Sequence, residues 1–117
     1  MGVSTDGQIS FGILLDEGVE TPWDDEKYAF DIEKWWVDKF PQEKLPVTLV
    51  NCCSSDYPIW IVSVPSSVMR CRRGYPVDFD HERLLVTTKD VSQLQDFCEI
   101  YLNTDKKPKW YLSSYWG

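Results

Sequence analysis

The sequence predicts an α+β protein, with a single mainly antiparallel sheet of four to five strands and two helices packed on it, in one domain spanning residues 1–117. Three observations carry this expectation. Apolar and polar residues alternate over residues 8–15, the period of a half-buried strand. Two other stretches repeat apolar residues at helical spacing. Between those stretches, two β-branched runs are separated only by Ser54-Ser55-Asp56-Tyr57, which has the composition of a tight turn and describes an antiparallel hairpin. A chain of this length holds one modest core, and no segment approaches the roughly 18 apolar residues of a membrane span.

In chain order, Ile9, Phe11, Ile13 and Leu15 share one face of the first strand, which Asp16-Glu17-Gly18 closes. An acidic loop follows through Thr21-Pro22-Trp23-Asp24-Asp25-Glu26. The first helix fits residues 28–39. Ile32, Trp35, Trp36 and Phe40 form its apolar stripe, Asp31, Glu33, Lys34 and Asp38 point elsewhere, and Pro41 ends it. Strands are expected at 46–53 and 58–64. Pro65-Ser66-Ser67 then opens a loop carrying Arg70-Cys71-Arg72-Arg73-Gly74, and a further strand is expected over 83–88. The second helix is the clearest element: Val91, Leu94, Phe97, Cys98, Tyr101 and Leu102 recur at helical spacing, and Asp90 with Gln93 has the form of a capping box. Residues 109–117 have the composition of a last strand. The order β-α-β-β-(β)-α-β admits a ferredoxin-like arrangement among others.

Charge is concentrated. Residues 16–33 hold eight acids (Asp16, Glu17, Glu20, Asp24, Asp25, Glu26, Asp31, Glu33) against one base, Lys27, and so carry the whole net charge of −7. Such a segment steers a basic partner; a solvated face and a favourable helix dipole account for the same residues. The acidity argues against direct nucleic-acid binding, which phosphate neutralisation drives. The local exception is Arg70, Arg72 and Arg73 with Gly74 and Tyr75, a grouping suited to a phosphate or a stacked base, or to ion pairs with the acidic segment.

Nothing in the sequence has the pattern of a catalytic or metal site, and no cofactor is expected. Cys52, Cys53, Cys71, Cys98 and the single His81 show no C-x-x-C spacing, and adjacent Cys52 and Cys53 disfavour a bridge, so free reduced thiols are expected. His81 in Asp78-Phe79-Asp80-His81-Glu82 reads as a polar strand end. Gly7 and Gly12 are too far apart for a phosphate loop, and no nucleophile elbow or Walker-type loop is present. Six Trp, six Tyr and five Phe exceed what one small core readily hides. Trp23, inside the acidic loop, and Trp116, near the C-terminus, are the aromatic residues expected to be exposed as interface anchors.

The opening Asp6-Gly7-Gln8-Ile9-Ser10-Phe11-Gly12, the Trp35-Trp36 pair, Ser55-Asp56-Tyr57-Pro58 and the close from Pro108-Lys109-Trp110 to Ser114-Tyr115-Trp116-Gly117 resemble, over nearly the whole chain, a family of small proteins encoded by tailed bacteriophages of proteobacteria. The resemblance assigns no functional residue. It implies a setting: a phage accessory protein in the bacterial host cytoplasm, where small acidic proteins of this kind often block host machinery, as anti-CRISPR and other anti-defence proteins do. The leading expectation is therefore a non-enzymatic inhibitor of a host protein with a basic surface, meeting it through Asp16, Glu17, Glu20, Trp23, Asp24, Asp25, Glu26 and Trp116. A nucleotide-binding module, or sponge, built on Arg70, Arg72, Arg73 and Tyr75 is the second reading, and a virion structural or assembly role the third. None of these involves a membrane, and each is compatible with a homo-oligomer.

Overall fold

The computed structural model describes residues 5–16, 19–29, 31–54 and 58–116. Its elements are β1 (Thr5–Leu14), α1 (Ile32–Lys39), β2 (Thr48–Ser54), β3 (Pro58–Ser63), β4 (Met69–Cys71), α2 (Thr88–Leu102) and β5 (Lys109–Trp116), with 3₁₀ turns at Pro65–Ser67 and His81–Leu84. The fold is α+β, as the sequence predicts. Among the described residues five strands lie in the order β3-β2-β5-β1-β4, and only the β2–β5 pairing is parallel. The end of β1 also pairs with β3 through Gly12↔Ser63, Ile13↔Val62 and Leu14↔Ile61, so the sheet curls back on itself.

The antiparallel pairings of β2 with β3, β3 with β1 and β1 with β5 give the order β2-β3-β1-β5, which is the ferredoxin-like order the sequence admits. β1 and β2 are both antiparallel to β3 and so run the same way on either side of it, as a split βαβ unit needs. The short parallel pairing of Cys53 and Ser54 with Tyr115 and Trp116 is made where the sheet curls round. The strand expected over 83–88 is absent: residues 81–84 form a 3₁₀ turn, and α2 already begins at Thr88. The fifth strand is β4, inside the stretch read as an arginine-bearing loop. Three residues carry no readable period, and what makes them a strand is pairing with Gly7, Gln8 and Ile9 of β1.

Local chemistry sets the helix ends. α1 starts later than its apolar stripe suggests because Ala29 adopts a left-handed backbone, φ 51°, which interrupts the helix. Asp31 then caps it, its Oδ1 accepting from the Glu33 N–H at 2.9 Å and the Lys34 N–H at 3.4 Å. The cap of α2 is Thr87, whose hydroxyl accepts from the Asp90 N–H at 3.0 Å, so the Asp90–Gln93 box is not the helix start. Thr87→Ala is expected to cost about 1 kcal/mol, read as a lower urea midpoint with an unchanged slope. Asn103, left-handed at φ 50°, ends the helix.

The core lies between the helices and the sheet. Ile13, Leu15, Val47, Val62 and Val64 meet Trp35 and Trp36 of α1 and Leu94, Phe97, Cys98 and Leu102 of α2. Trp23, Trp35, Trp36, Phe40, Phe97 and Tyr101 form a continuous aromatic cluster, with neighbouring ring centroids 4.5–6.5 Å apart. These are the edge-to-face and tilted spacings that the ring quadrupole favours. The polar side of β1 is not solvated as a half-buried strand implies. The curl covers it: Gln8 is 4% exposed and Ser10 1%, and the Ser63 hydroxyl donates to Ser10 Oγ at 3.1 Å.

Candidate functional site

Two surfaces hold the residues the sequence singles out. The first is the acidic connection between β1 and α1. Glu20, Asp24, Asp25 and Glu26 are all exposed, but they do not act alike. The Asp25 Oδ1 accepts from the Tyr28 N–H at 3.0 Å, shaping the turn. Asp16 is taken by Lys106, whose ammonium lies 2.6 Å from its Oδ1 and 3.3 Å from the Leu14 carbonyl. Lys27, the one base of the segment, turns away to Asp38 at 3.5 Å. The Tyr28 hydroxyl, donating to Asp38 at 2.8 Å, and then the Lys27 charge hold that carboxyl below its ordinary range. Glu20, Asp24 and Glu26 are thus left facing solvent without a compensating cation among the described residues. Glu17 and the Trp116 side chain lie outside the described residues.

Trp23 overturns an expectation. It is 3% exposed, with its ring 5.3 Å from Trp35 and 6.3 Å from Phe97, and it belongs to the core. Flanking acids made the loop read as solvated throughout. An irregular segment has no period, so one residue turns inward while its neighbours stay in water. Trp23 acts as a peg that seats the acidic strap against the helices.

The second surface contains the arginines, and the structure separates them. Arg72 and Arg73 sit in an exposed turn in which the Tyr75 N–H donates to the Arg72 carbonyl at 3.0 Å and Gly74 takes φ 79°. Tyr75 is 70% exposed. Arg70 instead belongs to β4, in register with Gln8. Among the described residues, neither Arg70 nor Arg72 is ion-paired with the acidic segment.

Arg70 lines a concave pocket of about 320 Å³ together with Asp6, Gln8, Leu49, Asn51, Trp60 and Tyr115. The Gln8 amide crosses the inside of the curl, Nε2 donating to the Asn51 carbonyl at 2.8 Å. Apart from Arg70, no member of this pocket stands out in the sequence. They converge because β1, β2, β3, β4 and β5 converge, which alternation within each strand does not reveal.

The remaining candidates are dispersed. His81 and Glu82 are exposed at the start of a 3₁₀ turn rather than at a strand end. Among the described residues, no three His, Cys, Asp or Glu side chains gather as a metal site requires. Burial pushes the Cys98 thiol up to about 12, so it stays a neutral core group at physiological pH. Cys52 donates to the Ile59 carbonyl at 3.3 Å, and Cys71 and Cys98 form no disulfide among the described residues. Among the described residues no helix is long and apolar enough to cross a membrane. Comparison with protein-family models, curated proteins and solved structures finds no match. The fold and its surfaces describe a small α+β protein with an acidic strap at one place and a sheet-lined pocket at another.

Proposed function

We propose that the protein is a non-enzymatic acidic interaction module that occupies a basic surface of another macromolecule, as an inhibitor of a host defence or nucleic-acid-handling protein in the cytoplasm of a phage-infected bacterium. The observation that carries the reading is the strap itself. Exposed Glu20, Asp24 and Glu26 are fixed to the core by buried Trp23 and are not neutralised by Lys27, which pairs with Asp38. Carboxylates on a preformed frame bind a basic partner with less ordering entropy than a flexible acidic tail. The resemblance of the sequence motifs to phage proteins supplies the setting.

The test is affinity capture from host lysate at low and high salt, with the wild type and with Asp24→Lys, Asp25→Lys and Glu26→Lys combined. A stoichiometric basic partner is expected at low salt, lost at high salt, and bound at least about tenfold more weakly by the triple variant. A partner held equally well by the reversed-charge protein would sink the electrostatic reading. Recovery of the protein in purified virions, with no captured host protein, would favour a structural role.

A further inference from the structure

We propose that the pocket inside the curled sheet binds a single nucleotide, its base against Trp60 and Tyr115 and its phosphate on Arg70. The site is separate from the acidic strap and does not depend on the reading above. All its described lining residues lie on strands, and each of the five strands contributes at least one. The concavity is therefore built by the curl of the sheet rather than left between mobile surface side chains.

Its chemistry is specific. The chain has 19 acids and 12 bases, yet among the described residues Arg70 enters no ion pair, although Asp6 lines the same pocket. A guanidinium presents a planar fork of donors suited to a phosphate. Asp6 is an acceptor of the kind that holds ribose hydroxyls. Trp60, 36% exposed, and Tyr115 offer ring faces for stacking, which any base satisfies. Gln8 and Asn51 add side-chain amides to the lining, a group type that both donates and accepts. Gln8 is 4% exposed, where an aliphatic residue would cost less desolvation, so an amide there makes sense as the polar floor of a site. A volume of about 320 Å³ is at the low end of small-molecule pockets and takes one nucleotide, not two.

Titration of the full chain with AMP, GMP, CMP and UMP, followed by calorimetry and by the NMR signal of the Trp60 indole, tests this. At least one nucleotide is expected to bind saturably, to shift the indole, and to bind more tightly than its nucleoside. Arg70→Ala, a change at an exposed position, is expected to weaken binding about tenfold, with Arg70→Lys intermediate and Arg72→Ala without effect. The proposal is overturned by the absence of a saturable response to all four nucleotides, or by binding that survives Arg70→Ala. It is equally overturned if Arg72→Ala weakens binding and Arg70→Ala does not, because the ligand would then sit on the exposed turn.

Discussion

Gly12→Ala is expected to destabilise the protein by about 3 kcal/mol or more, the upper range for forcing extra volume into a packed site. Gly12 is paired on both edges of β1, with Ser63 of β3 and with Lys109 of β5. A Cβ built there overlaps the Val62 carbonyl oxygen and lies 2.8 Å from both Ser63 Cα and Oγ. Two of these three atoms are backbone and cannot rotate aside. Relief requires moving β1 off β3, which breaks the Ser63–Ser10 hydrogen bond and separates Ile13 from Val62 at the core. Gly7 in the same strand is the control. A Cβ there meets Cys71 Sγ at 3.0 Å, the end of a side chain that can turn, so Gly7→Ala is expected to stay within about 1 kcal/mol of wild type. Urea denaturation of both variants checks the pair. Equal midpoints would mean that β1 and β3 do not close the sheet in solution.

The same glycine marks the limit of what sequence order conveys. Gly12 stands in an alternating run, where it is one more small residue on the side opposite Ile13. The requirement for it comes from β3, some fifty positions away. Elements with a local signal were legible: the first strand by its alternation, α2 by Leu94, Phe97, Cys98 and Leu102, the hairpin by its β-branched runs, and β5 by composition. Elements made by pairing were not. β4 is a strand because Gly7–Ile9 offers it an edge, and residues 83–88 are not one because Thr87 begins a helix there. Caps fell between these cases. Asp31 and Thr87 are ordinary capping types, but an equally plausible Asp90 stood three residues beyond the true start.

The surfaces divide in the same way. The acidic strap was legible as composition, since charge that dense within eighteen or so positions stays together in any fold. Which acids are committed to structure was not, because Asp16 finds Lys106 across the molecule. Arg70, Arg72 and Arg73 read as one cluster because they are adjacent in sequence. Strand pairing places Arg70 in a pocket with Asp6 and Tyr115, residues from opposite ends of the chain that pair in register. Buried Gln8 and Ser10 looked like the wet face of a sheet that in fact closes over them.

Trp23→Ala is expected to cost about 3–5 kcal/mol, the range for deleting a large buried ring, and to do so with no partner present. Its ring packs on Trp35 and Phe97, and Trp35 in turn packs on Trp36 and Tyr101, so the deletion opens a void at the edge of the main aromatic cluster. It also frees the strap on both sides of residue 23, Glu20 before it and Asp24 to Glu26 after it. Partner binding is therefore expected to weaken although no charge has changed, because the carboxylates must be ordered anew at each encounter. Trp23→Phe refills most of the void and is expected to recover most of both stability and affinity. An exposed anchor would behave differently: alanine would leave stability within about 0.5 kcal/mol of wild type and remove binding. Urea midpoints for the three proteins, followed by affinity measured where each is folded, separate the two roles. Parallel loss and recovery of stability and affinity identifies Trp23 as the peg that makes the acidic strap a rigid surface, whereas lost affinity at unchanged stability would return it to the interface.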